Sequence, residues 1–223
     1  MTHSNNYFIL LCSLFFISFQ SSIFAQASLN IQGHADCKTR LMIETKKTLG
    51  PSASPLGYGN IQEFSHNAKD DLYFMENENH SVWYQFASKT SGTMHFEIDP
   101  LDSLNDYDFA LYRYTEGDFC KHVIEKKILP IRTNFSRNKI EIGGKTGLSE
   151  TAQDSFVSQG VQVAYSKSVS VKKGDTFVLL VNAVYKNSSG HRLHFGYQSN
   201  RQLSTDPLPE PKRKEKTYTE EPT

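Results

Sequence analysis

Asp99, Asp102, Asn105, Asp106 and Asp108 fall within ten positions, in the run Asp99-Pro-Leu-Asp-Ser-Leu-Asn-Asp-Tyr-Asp108. Calcium is a hard cation that takes six to eight oxygen ligands, and closely spaced carboxylates supply several of them without a dedicated metal fold. Asp99, Asp102, Asp106 and Asp108 are therefore the expected metal ligands, with calcium as the cofactor. On a strand, Asp106 and Asp108 share one face, opposite Tyr107 and Phe109. The glycine-containing EF-hand spacing is absent. In the plainer reading these side chains cap turns and accept backbone N–H bonds, as Asp and Asn do at strand ends.

Trp83, the single tryptophan, offers a second chemistry. Alternation turns it away from Val82, Tyr84 and Phe86, onto an outer face. Across the turn Lys89-Thr-Ser-Gly92 its neighbours are expected to include Glu97 or Asp99, with His95 nearby. An exposed aromatic ring beside polar side chains stacks on a sugar and fixes it by hydrogen bonds. Trp83, His95 and Glu97 thus form the expected ligand-binding set. The competing reading covers Trp83 with a long loop, for which residues 128–160 are available.

Catalytic patterns are missing. The chain has no Gly-x-Ser-x-Gly elbow and no His-Glu-x-x-His zinc helix. Gly57-Tyr-Gly59 lacks the third glycine of a dinucleotide fingerprint. Gly144-Lys-Thr146 resembles the end of a phosphate loop, but Lys139 stands where its first glycine belongs. His191 and His194 fall on opposite faces of a strand and are not expected to share a metal. The expectation is a protein that is not an enzyme.

The elements that position these residues read as strands. Val82, Tyr84 and Phe86 alternate with Trp83, Gln85 and Ala87; Met94, Phe96 and Ile98 alternate with His95, Glu97 and Asp99. Phe109 and Leu111, then Val169 and Val171, continue the period. Phe177-Val-Leu-Leu-Val-Asn-Ala-Val184 is apolar on both faces and predicts a central strand covered on both sides. Leu193, Phe195 and Tyr197 follow the turn Asn187-Ser-Ser-Gly190. Many short strands without a long 3.6 period predict an all-β fold, an antiparallel, jelly-roll-like β-sandwich spanning 36–199. Short helical turns are expected within Cys37–Lys47 and near Glu150–Val157. The stretch 128–160 reads as a long loop, and long loops in compact domains tend to be functional.

Tyr7 to Phe19 form a nearly unbroken apolar run ahead of Ala25-Gln-Ala27, the pattern of a signal peptide over 1–27. The run is shorter than the roughly 20 residues that span a bilayer, so no transmembrane segment is expected after cleavage. The destination is the periplasm, the outer-membrane surface or the extracellular space. Removing Cys12 with that segment leaves Cys37 and Cys120, either one disulfide of an oxidising compartment or two separate buried thiols. Residues 200–223 mix charge with proline and cannot bury enough surface to order themselves. Lys plus Arg number 24 and Asp plus Glu 24, so no basic field draws nucleic acid.

Ser81-Val-Trp-Tyr-Gln-Phe86, Ser91-Gly-Thr-Met-His-Phe-Glu-Ile-Asp-Pro100, Asp106-Tyr-Asp-Phe-Ala-Leu-Tyr112 and Val171-Lys-Lys-Gly-Asp-Thr-Phe-Val-Leu-Leu-Val181, in that order, resemble the bacterial pre-peptidase C-terminal type of β-sandwich domain. The likeness is to the version near the N-terminus of Bacteroidetes cell-envelope proteins, often ahead of an OmpA-type domain. The resemblance implies an exported, noncatalytic accessory domain; relatives bind calcium or extracellular polymers, and Asp106 and Asp108 match their Asp-x-Asp-x-x-Leu-Tyr pattern. The expected partner is a glycan, peptidoglycan or an envelope protein, taken up by a binding or adhesion module. The alternative is a structural scaffold of an outer-membrane assembly with no small ligand.

Overall fold

The structure, a computed structural model, describes residues 28–64, 72–75 and 77–198. The signal-peptide reading of 1–27 and the tail from 200 lie outside the described residues.

The chain is an all-β sandwich of two mixed six-stranded sheets. In chain order the elements are β1 (Leu41–Met42), β2 (Thr48–Leu49), β3 (His80–Ala87), β4 (Gly92–Pro100), β5 (Tyr107–Arg113), α1 (Phe119–Ile124), β6 (Arg132–Ser136), β7 (Thr146–Ser149), β8 (Phe156–Gly160), β9 (Tyr165–Lys167), β10 (Val169–Val171), β11 (Thr176–Ala183) and β12 (His191–Gln198). The first sheet runs β1-β3-β11-β5-β6-β8. The second runs β2-β12-β4-β7-β9, with β10 also on β4. The long strands pair antiparallel, whereas β1–β3, β6–β8 and β7–β9 are parallel, so the all-antiparallel expectation gives way to a mixed arrangement.

The turns expected to make hairpins do something else. β3 and β4 do not pair; Lys89-Thr-Ser-Gly92 carries the chain from the first sheet to the second. The connections from β10 to β11 and from β11 to β12 also cross between sheets. Turn residues fix a local reversal and leave the choice of partner strand to burial.

Two apolar layers result. Between the sheets lie Val82, Tyr84, Phe86, Met94, Phe96, Ile98, Phe109, Leu179 and Phe195 among others. On the far side of the first sheet a second layer gathers Phe64, Phe74, Met75, Trp83, Tyr112, Phe119, Phe135, Val178 and Leu180. β3, β5 and β11 are therefore buried on both faces, as expected for β11, while β4 alternates strictly between buried and half-buried positions.

The expected loop 128–160 carries β6, β7 and β8, and the stretch Glu150–Val157, expected to turn helically, holds no helix and runs into β8 at Phe156. A helix absent from the sequence reading, α1, follows β5 and packs Phe119, Cys120 and Val123 into the second layer. Cys37, in a 3₁₀ turn Cys37–Thr39, is disulfide-bonded to Cys120, tying the N-terminal segment to α1 across 83 residues.

Candidate functional site

The outer face of the second sheet carries a groove of about 770 Å³ lined by His95, Glu97, Glu150, Tyr165, His194 and Gly196 among others. Its geometry follows from β4 alternation. With Met94, Phe96 and Ile98 turned into the core, His95, Glu97 and Asp99 must project outward in a row. β12 runs antiparallel beside it with His194 opposite Glu97 and Gly196 opposite His95. A Cβ on Gly196 would collide with the His95 ring, so this glycine is what lets the imidazole lie across β12.

The row is wired by charge-assisted bonds. Lys145 Nζ donates to Glu97 Oε1 at 2.7 Å, and the Tyr165 hydroxyl donates to Glu97 Oε2 at 2.7 Å. Lys145 also approaches Asp99 at 3.7 Å, and His194 Nε2 lies 3.3 Å from Asp99 Oδ2. His194 Nδ1 is 3.0 Å from the Thr48 hydroxyl. His95 Nδ1 stands 3.3 Å from Glu150 Oε1, close enough for an ion pair but without hydrogen-bond geometry. The bond to Glu97 holds the Lys145 ammonium above the usual range, and burial together with Glu97 raises the Tyr165 phenol. Lys145 pairs with Glu97 and Asp99, and the two imidazoles face Glu150 and Asp99, so the groove presents fixed donors and acceptors.

The expected ligand-binding set is divided. His95 and Glu97 are in the groove, but Trp83 belongs to the first sheet and faces the opposite side of the molecule. It is 0% exposed, stacked on Tyr112 with ring centroids 6.2 Å apart, within the layer closed by Phe64 and α1. Alternation placed Trp83 on the outer face; the covering layer removes it from solvent, and it is not a sugar platform.

The four expected metal ligands are divided as well. Asp99 sits on the second sheet, bound to Lys145 and His194. Asp102 accepts the Leu104 N–H at 2.9 Å, a turn cap. Asp106 and Asp108 lie on the outer side of the first sheet, where Tyr107 and Phe109 point inward. They line a pocket of about 240 Å³ with Asn77, Asn79, Arg137 and Gln159, and Asp106 Oδ1 accepts the Asn138 N–H at 2.9 Å. Burial raises both carboxyls, that of Asp108 well above the ordinary range with help from the charge of Asp106. Two carboxylates beside a guanidinium do not make the oxygen cage calcium needs. Among the described residues no group of three or more His, Cys, Asp or Glu is placed to hold a metal.

Lys145, Tyr165, Glu150 and His194 were not among the residues expected at a site. His194 was legible, since it falls in phase with the outward positions of β12. Lys145 comes from the stretch 128–160 read as loop and Tyr165 from a stretch given no element, and nothing in their spacing marks them. His191, three positions before His194, is buried between Tyr84 and Ser52, with burial pushing its pKa down to about 3, so it is neutral.

Among the described residues no helix is long and apolar enough to cross a membrane. No protein-family model matches the chain, and no curated protein does. Among solved structures it is similar to CorA, a surface-associated copper-binding protein important in copper acquisition by Methylomicrobium album BG8, with a TM-score of 0.33 and 8% identity over 71% of this chain and 98% of that one. That likeness carries neither ligand nor activity to this chain.

Proposed function

We propose that this protein is an exported, noncatalytic binding module that takes a hydroxyl-rich polymer, a glycan of the envelope or its surroundings, on the outer face of the second sheet. The observation that carries the reading is the open groove of about 770 Å³ in which outward side chains of β4 and β12 converge with Tyr165, beside the Lys145 that holds Glu97. Sugar hydroxyls both donate and accept, and they are matched by a wall of carboxylates, imidazoles and a phenol oriented by their own hydrogen bonds and ion pairs. Both oxygens of Glu97 are already engaged, which suits an oriented acceptor better than a free acid or base.

The test is co-sedimentation of the purified chain with cellulose, chitin and peptidoglycan sacculi. Retention on at least one of them is expected, lost in Glu97→Gln and His194→Ala while the unfolding midpoint is unchanged. Retention on none, or retention untouched by both substitutions, overturns the reading.

A further inference from the structure

Glu63 and Glu78 are buried in the covering layer of the first sheet, at 1% and 0% exposure. Each uses one oxygen to hold a backbone N–H. Glu63 Oε1 accepts from Cys37 at 2.8 Å, and Glu78 Oε2 accepts from Phe64 at 3.0 Å. The other oxygens, Glu63 Oε2 and Glu78 Oε1, are buried without a partner. So are the Trp83 indole nitrogen and the Tyr112 hydroxyl on the sheet beneath. The indole nevertheless lies near enough to Glu78 to favour its charged form, and both glutamates raise the Tyr112 phenol after burial itself.

Two acids in an apolar layer are tolerated when protonated, and strongly disfavoured when both are charged and no cation faces them. Among the described residues the surrounding groups supply none. Asp36, preceding Cys37, is another acid, and its carboxylate is taken by the N–H groups of Asn60 and Ile61 and the Asn60 amide. Arg40 lies over the rings of Tyr114 and Phe119 and donates to Gln85 and the Cys37 carbonyl. Lys126 lies over Phe74. Lys121 and Lys127 are paired with Glu125, whose carboxyl also feels His122. The His34 ring bonds the Thr39 carbonyl. β3 contributes Trp83 and the Ser81 hydroxyl, which also favours the charged form of Glu78, and β5 contributes Tyr112; none of these is a cation.

We propose that Glu63 and Glu78 form a protonation latch that keeps the covering layer of Phe64, Phe74 and α1 closed over the Trp83 face of the first sheet, and that ionisation of the pair loosens that layer without unfolding the sandwich. Burial pushes Glu63 up to about 8, partly opposed by the Cys37 N–H and reinforced by Glu78, and it pushes Glu78 up to about 7. Both folded values lie above the ordinary carboxylate range. The closed layer is thus fully favoured below the ordinary carboxylate value of 4.5 and loses stability as pH rises from there to about 7 to 8. No part of this depends on the second-sheet groove.

Trp83 is the single tryptophan and reports the event directly. Acrylamide quenching of its fluorescence in the full chain is expected to increase as pH rises from about 5 to about 9, and to stay flat in Glu63→Gln/Glu78→Gln. Hydrogen exchange on the unsubstituted chain keeps the test sound if that variant does not fold. Below the folded values, exchange of the Phe64 and Cys37 amides, corrected for intrinsic base catalysis, should accelerate by about tenfold per pH unit for each carboxyl that ionises on opening. Quenching and corrected exchange that are both insensitive to pH would overturn the latch, as would an unchanged pH response in the folded double variant.

Discussion

The outer faces of the two sheets are built from strands of similar length and have opposite fates. On the first sheet, β3, β5 and β11 put Trp83, Tyr112, Val178 and Leu180 outward, and Phe64, Phe74, Phe119 and Phe135 seal them under a disulfide-tied layer. On the second, β4 and β12 put His95, Glu97, Asp99 and His194 outward, and no such layer of described residues closes over the groove. A side chain's direction on a strand follows from period two, but its exposure depends on what the rest of the chain lays over that face. The sealed face gives stability. The open face is where recognition has room.

Substitutions should separate the two faces, and the largest effect belongs to the sealed one. Trp83→Ala removes a fully buried indole and should cost about 3–5 kcal/mol in urea unfolding. A cost under about 1 kcal/mol would mean the layer collapses without loss, and that the faces differ less than their burial implies. Opening the Cys37–Cys120 bridge by the double Ser substitution should cost about 2–4 kcal/mol, given the long loop it closes. The loss should appear first as exchange of the α1 amides, before those of β11.

His191 sharpens the contrast through pH, because it is in neither outer face. Its folded pKa of about 3 lies below its ordinary value, so the unfolded chain binds the proton first on acidification. The stability it contributes is complete above about pH 6.5 and falls as pH drops toward 3, by up to about 1.4 kcal/mol per unit. His191→Gln should flatten that acid limb in urea titrations at several pH values. Glu63 and Glu78 act with the opposite sign, losing stability as pH rises. The smallest effect is expected on the open face: Lys145→Ala breaks the partly exposed pair with Glu97 and should change stability by less than about 1 kcal/mol.

Much of this was legible in the residues. The all-β class, the doubly covered β11 and the inward set of β4 follow from alternation. The sheet assignment was also available in principle, since Val82-Trp-Tyr-Gln-Phe86 is bulky on both faces whereas Thr93 to Asp99 alternates with polar groups. The first belongs to a sheet with two apolar sides, the second to a sheet with one. What local pattern does not encode is partner choice. The turn Lys89–Gly92 suits a hairpin and a sheet-to-sheet crossing equally, so Trp83 was placed beside His95 and Glu97 when the sandwich puts them on opposite sides. The same ambiguity joined Asp99 to Asp106 and Asp108 across a chain reversal that sends them to different faces. Glu63 and Glu78 had no sequence signal at all, because an acid in a segment without period reads as solvated.

The most direct test of the division between sealed and open faces is co-sedimentation with the retained polysaccharide for Trp83→Phe and Tyr165→Phe in parallel. The prediction is that Trp83→Phe is less stable but binds as the native chain does, while Tyr165→Phe, lacking the hydroxyl that holds Glu97, keeps its stability and binds more weakly. Loss of binding by folded Trp83→Phe, with Tyr165→Phe unaffected, would contradict it and move recognition to the first sheet.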